Sequence, residues 1–132
     1  MALVRIEILE GRTRREKQEL LDAVHEALVS ALGVPRGDPA LRVVEHNPAN
    51  FLRPGSPHAT SERYTLVEIV MFAGRSAQAK RALYEEIVRR FERLGISGDD
   101  VTIVVLESPR CNWGVQGGLP AREVELGFQV EI

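Results

Sequence analysis

One passage of this sequence is written twice. Val4-Arg5-Ile6-Glu7-Ile8-Leu9 leads into Gly11-Arg12-Thr13, a long helical pattern, Leu32-Gly33-Val34 and Leu41-Arg42-Val43-Val44-Glu45. Leu66-Val67-Glu68-Ile69-Val70-Met71 leads in the same way into Gly74-Arg75-Ser76, a second helical pattern, Leu94-Gly95-Ile96 and Ile103-Val104-Val105-Leu106-Glu107. The copies keep step over about forty residues, so the chain must solve one strand-helix-strand problem twice and pack the two solutions together.

Within the first copy, Val4, Ile6 and Ile8 alternate with Arg5 and Glu7, the period-two signature of a strand with one buried face. Gly11 breaks that strand, and Thr13 with Glu16 forms a capping box that satisfies free N–H groups of a first helical turn. Leu20, Leu21, Val24, Leu28 and Leu32 then recur at helical spacing, until Gly33 ends the helix and Pro35 prevents its resumption. In the second copy Ser76 is the cap, Leu83, Ile87, Val88, Phe91 and Leu94 are the apolar face, and Gly95 is the stop.

Outside the repeat, the proline-punctuated stretch from Asn47 to Thr60 reads as a loop. The run from Tyr64 to Phe72 is apolar enough to predict a central strand covered on both faces. The segment between Pro109 and Pro120, with Gly114, Gly117 and Gly118, predicts a shaped loop or hairpin, and the alternation from Val124 to Ile132 predicts a short edge strand.

Two crossover units of one hand give an α+β (α/β two-layer) fold: duplicated β-α-β units forming a four-stranded sheet with two helices on one face. We expect one domain over residues 1–132, with halves of about 1–62 and 63–132, because each half alone would bury too little surface. The bare sheet face predicts an oligomer in which sheets pack about a symmetry axis.

With 17 Lys and Arg against 19 Asp and Glu, and a formal net charge of −2, the chain has no global field for nucleic acid or an anionic membrane. Its longest apolar run is too short to span a bilayer, and its first residues do not read as a secretory signal, which points to a cytoplasmic protein. Cys111 is the single cysteine and reads as a loop thiol. His46 and His58 have no ligand-like spacing with it or with each other, so no metal site is assigned.

The order and spacing of several motifs carry a family resemblance. They are Leu3-Val4-Arg5-Ile6, Gly11-Arg12-Thr13, Asp22-Ala23-Val24-His25, Gly33-Val34-Pro35-Arg36-Gly37-Asp38, Gly74-Arg75-Ser76, Gly95 to Val101 and Asn112-Trp113. Over nearly its whole length the chain resembles the tautomerase superfamily, in particular members similar to malonate semialdehyde decarboxylase. The resemblance implies paired β-α-β units, a homotrimer, and work on small oxo acids or their enols with no metal and no organic cofactor. It also implies a catalytic position at Ala2, where such families carry a proline after the initiator methionine. Removal of Met1 would leave Ala2 a primary amine with a reference pKa of about 8, whereas retention would leave only an amide.

Arg75 follows a strand end and precedes a helix N-cap, where its guanidinium lies beside free N–H groups and the positive end of a helix dipole. By resemblance it binds the substrate carboxylate. The decarboxylase-like members have a second arginine where this chain has Ala73, which favours tautomerisation over decarboxylation. Asp38 matches a carboxylate that positions or activates water, and is equally a standard turn residue. Trp113 matches a pocket wall, and equally a buried anchor for its loop. His25 borders the first helix's apolar face, with a substrate-binding role in some relatives and a packing role as the plainer reading. Arg12, the counterpart of Arg75, reads as structural. Two functions remain: an isomerase for keto-enol tautomerisation of a small 2-oxo acid, or a catalytically impaired or non-catalytic binder of small carboxylates. A decarboxylase or hydratase of a small oxo acid is a variant of the first.

Overall fold

The computed structural model describes residues 2–54, 61–127 and 129–132. Its elements are β1 (Ala2–Leu9), α1 (Arg14–Leu32), β2 (Leu41–His46), β3 (Thr65–Phe72), α2 (Ala77–Arg93) and β4 (Val101–Ser108), followed by the short pair β5 (Gly114–Val115) and β6 (Leu119–Pro120). The main sheet has the order β2-β1-β3-β4; β1 with β2 and β3 with β4 run parallel, while β1 and β3 run antiparallel.

The duplication is visible as an axis. Arg5 and Glu68 are 63 residues apart, the offset of Gly11 from Gly74, and they face each other in the β1–β3 register with an Nη2–Oε2 distance of 3.1 Å. The two halves are therefore related by a rotation through the middle of the sheet. Corresponding residues of the halves lie at opposite ends of it.

Each half closes as its sequence dictates. The Thr13 hydroxyl accepts from the Glu16 N–H at 3.1 Å while the Glu16 carboxylate accepts from the Thr13 N–H at 3.1 Å, and Ser76 accepts from the Ala79 N–H. Gly33 ends α1 in the left-handed conformation, φ 68°. Val4, Ile6 and Ile8 of β1 and Val67, Ile69 and Met71 of β3 point to one side, where Leu20, Val24 and Leu28 of α1 and Leu83, Ile87 and Phe91 of α2 bury them. Burial of each such side chain contributes roughly 1.5–3 kcal/mol against exposure. No helix among the described residues is long and apolar enough to cross a membrane.

The structure corrects two expectations. β3 is central but is covered on one face only: Leu66, Glu68 and Val70 are half-buried, and the open face mixes the Arg5–Glu68 and His46–Glu7 pairs with exposed Leu3, Val104 and Leu106. A nearly continuous apolar run shows that a strand can be covered twice, not that one chain supplies both covers. The tail from Val124 onward forms no strand among the described residues. Gly127 at φ 75° breaks its alternation, and Val130 turns into a small cluster with Phe72 and Ala121 at the sheet's end. The Pro109–Pro120 segment does form the expected hairpin, through β5 and β6.

Candidate active site

The end of the sheet where β1 and β2 begin and β3 and β4 finish gathers most of the residues singled out by sequence. Ala2 opposes Met71 across the β1–β3 pair, and Met71 opposes Glu107 across β3–β4. These three residues form one row on the helix-facing side. Strand spacing places the Ala2 and Glu107 backbones about 10 Å apart. Ala2 is buried, at 3% exposure.

Above the row, Gly74 turns at φ 133° and delivers Arg75 to the start of α2. Arg75 is 5% exposed, and its Nη1 donates to the Phe72 carbonyl at 3.2 Å. Burial pulls the guanidinium's pKa down, and the neighbouring Glu107 carboxylate pushes it back up. The Glu107 carboxyl is itself held below its ordinary range, first by a hydrogen bond from Lys80, then against burial by the Lys80 charge, the Gly74 N–H and the Arg75 charge. A buried arginine at a helix N-terminus suits a carboxylate, since the fork, the free N–H groups and the dipole act together.

Phe72 and Trp113 pack edge to face with ring centroids 4.8 Å apart, in a small apolar cluster with Ala121 and Val130. The Trp113 indole N–H is buried and has no hydrogen-bond acceptor among the described residues. The tail packs against the turn that carries Arg75. The Ser76 hydroxyl donates to the Ile132 carbonyl at 3.1 Å, and a Cβ built on Gly74 would meet Glu131 Cγ at 3.1 Å and Val130 Cγ1 at 3.3 Å.

Asp38 lies at this same end, because Val4 donates to the Ala40 carbonyl and so draws the loop alongside β1. Its N–H donates to the Pro35 carbonyl at 3.1 Å. Asp100, its counterpart in the second copy, makes the same turn to the Ser97 carbonyl at 2.9 Å and is fully buried. The repeat alone thus explains why an aspartate stands at position 38. His25 is set apart from the Arg75 group. Its Nε2 donates to the Arg36 carbonyl at 2.8 Å, and it borders a cleft of ≈ 450 Å³ with Asp22, Arg36 and Pro39, which none of Ala2, Arg75 and Trp113 lines. Arg12 occupies the opposite end of the sheet, donating to the Arg63 carbonyl at 2.9 Å and to the Thr65 hydroxyl at 3.4 Å, which is a structural tie. Met1 and His58 lie outside the described residues.

This geometry has close relatives. A sequence model described as "Tautomerase enzyme" matches residues 38–116, and a second with the same description matches residues 3–59. The chain belongs to the tautomerase family. Among curated relatives, the probable tautomerase YrdN of Bacillus subtilis (strain 168) is 27% identical over 115 residues, covering 86% of this chain and 89% of its own. Among solved structures, this tautomerase-family chain is similar to malonate semialdehyde decarboxylase, determined in wild-type, mutant and inactivated forms, with a TM-score of 0.79 and 30% identity over 87% of this chain and 92% of that one. It is equally similar to a fused 4-OT solved as a symmetric trimer, with a TM-score of 0.79 and 30% identity over 91% and 96% of the two chains. Ala2, at the start of β1, fits the loss of the N-terminal proline in some members of the superfamily.

Sequence reading missed Glu107, Lys80 and the tail residue Val130. The first two carried a signal, since Lys17 and Glu45 occupy the equivalent places of the first copy and are paired at 2.9 Å. Val130 carried none, because its alternating context suggested an edge strand.

Proposed function

We propose that this chain catalyses keto-enol tautomerisation of a small 2-oxo acid. Arg75 binds the carboxylate, and the proton moves between oxygen and carbon at the Ala2 end of the sheet. The observation that carries this reading is the buried Arg75 guanidinium at the N-terminus of α2, at the same sheet end as Ala2 and Trp113. Once freed of Met1, the Ala2 amine is the base: its buried surroundings disfavour the charged ammonium and lower its pKa toward the working pH. It takes the enol proton and returns one to the adjacent carbon, while Arg75 holds the carboxylate and the Phe72–Trp113 pair limits the pocket. Asp38 holds water or substrate from the neighbouring loop, and His25 acts through that loop by its bond to the Arg36 carbonyl. Ala73, in place of a second cation, favours tautomerisation over decarboxylation.

The whole chain acts as one domain in a cytoplasmic homotrimer with no cofactor. The trimer is supported by the fused 4-OT relative and by the half-covered sheet face. The second reading, a non-catalytic carboxylate binder, is favoured by Ala2 itself, which lacks the secondary amine.

The test is ultraviolet-monitored ketonisation of phenylenolpyruvate by the parent and by Ala2→Pro, with intact mass reporting Met1. Turnover by both, enhanced in the proline variant, is expected. Carboxylate binding with no turnover by either protein would leave the binder, and absence of both binding and turnover would remove both readings.

A further inference from the structure

Arg75 is only 5% exposed, yet a carboxylate has to reach its guanidinium. The tail runs along the turn that carries it. A Cβ built on Gly74 would meet Val130 Cγ1 at 3.3 Å and Glu131 Cγ at 3.1 Å, and the Ser76 hydroxyl donates to the Ile132 carbonyl at 3.1 Å. Residues 130–132 therefore lie alongside 74–76, with contacts on both sides of Arg75. The Ile132 carbonyl stands at the N-cap of α2 and takes the hydroxyl hydrogen bond that an incoming carboxylate oxygen would otherwise receive. At Gly11, the equivalent turn of the first copy, nothing among the described residues lies within 4 Å, so this covering belongs to the Arg75 end alone.

The tail is lightly held. Among the described residues no backbone–backbone hydrogen bond ties 129–132 to the rest of the chain, whereas Phe72 is paired with Ser108 in the sheet and the Trp113 carbonyl accepts from the Ala121 N–H at 2.8 Å. Its ties are the Ser76 hydroxyl, an exposed Arg110–Glu131 ion pair at 3.8 Å, and the Val130 side chain buried against Phe72 and Ala121. An exposed pair of that length contributes little, so Val130 is the main anchor. Segments with so few ties are the ones that open first. Resting on the reading of Arg75 as the carboxylate anchor, we propose that residues 129–132 are a strap, closed over Arg75 in the free protein and displaced by the incoming carboxylate. Only the open fraction binds, so the seating of Val130 sets the apparent affinity of the site.

The experiment measures amide exchange with and without saturating 3-phenylpropanoate, a monocarboxylate that cannot enolise. Its Kd is read by quenching of Trp113 fluorescence, alongside KM and kcat for phenylenolpyruvate. In the parent the ligand speeds exchange at residues 129–132. Val130→Ala weakens the anchor and raises the open fraction, so Kd and KM fall about fivefold with kcat little changed. Val130→Thr keeps the volume but sets a hydroxyl in the apolar cluster, and it lowers Kd in the same direction, which separates loss of seating from loss of packing volume.

Exchange at 129–132 that slows or stays the same on binding, or a Kd in either Val130 variant no lower than the parent's, would show that the tail is a fixed part of the pocket and overturn the proposal. Arg75→Ala separates the strap from the anchor. If it abolishes binding while the ligand leaves tail exchange in the parent unchanged, this inference fails and the anchor stands; if it binds as the parent does, the anchor fails and the inference goes with it.

Discussion

Gly74 and Gly11 allow the tail's role to be measured against an internal control. Both lie in backbone that side chains rarely adopt, at φ 133° and 121°, so an added methyl strains each by a similar amount, about 1–3 kcal/mol. They differ in what the methyl meets. At Gly11 nothing among the described residues lies within 4 Å, whereas at Gly74 it meets Glu131 Cγ at 3.1 Å and Val130 Cγ1 at 3.3 Å. Val130 is 5% exposed against Phe72 and Ala121, and relief of the contact lifts it from that cluster. Full burial of such a side chain is worth about 1.5–3 kcal/mol, so loss of roughly half costs ~1 kcal/mol beyond the shared strain. Gly74→Ala should therefore be less stable than Gly11→Ala by ~1 kcal/mol in urea unfolding, about 4 °C in Tm. Amide exchange at residues 129–132 should accelerate in Gly74→Ala alone. Equal stability losses, with tail exchange unchanged in both, would refute the idea that the tail is seated on the Arg75 turn.

Two further outcomes follow from the same end of the sheet. The folded-state pKa of Glu107 is depressed, mainly by Lys80, so its stabilising contribution is present above the unfolded carboxylate value of about 4.3 and is lost as pH falls through the lower folded value; urea midpoints of Glu107→Gln should accordingly decline less steeply than the parent's below about pH 4.5. Phe72→Ala removes a fully buried ring from beneath Trp113, and should cost about 3–5 kcal/mol while red-shifting Trp113 emission, with an unshifted spectrum counting against the packing.

The sequence carried the fold further than the site. Duplicated strand and helix periods, with Thr13, Gly33 and Ser76 as punctuation, dictate local structure through short-range geometry, and that information is written in consecutive residues. Arg75 was legible for the same reason, being fixed between a strand end and a cap. The Lys80–Glu107 pair was not, since it joins α2 to β4 across 27 residues and depends on register. Asp38 shows the opposite difficulty: a residue that stood out by motif has a fully buried twin in Asp100, so its turn role is explained by folding alone. The tail's alternation suggested a strand because period two records which residues can point the same way. It does not record whether an edge is there to receive them.

The claim on which the account rests is that Arg75, and not its twin Arg12, holds the carboxylate. Isothermal titration of 3-phenylpropanoate into Arg75→Ala and Arg12→Ala tests it directly. The account predicts at least a tenfold loss of affinity in Arg75→Ala, as befits a charge-assisted contact worth about 1.5–3 kcal/mol, with Arg12→Ala binding as the parent does but melting lower. Parent-like binding by Arg75→Ala, or equal losses in both variants, would contradict it.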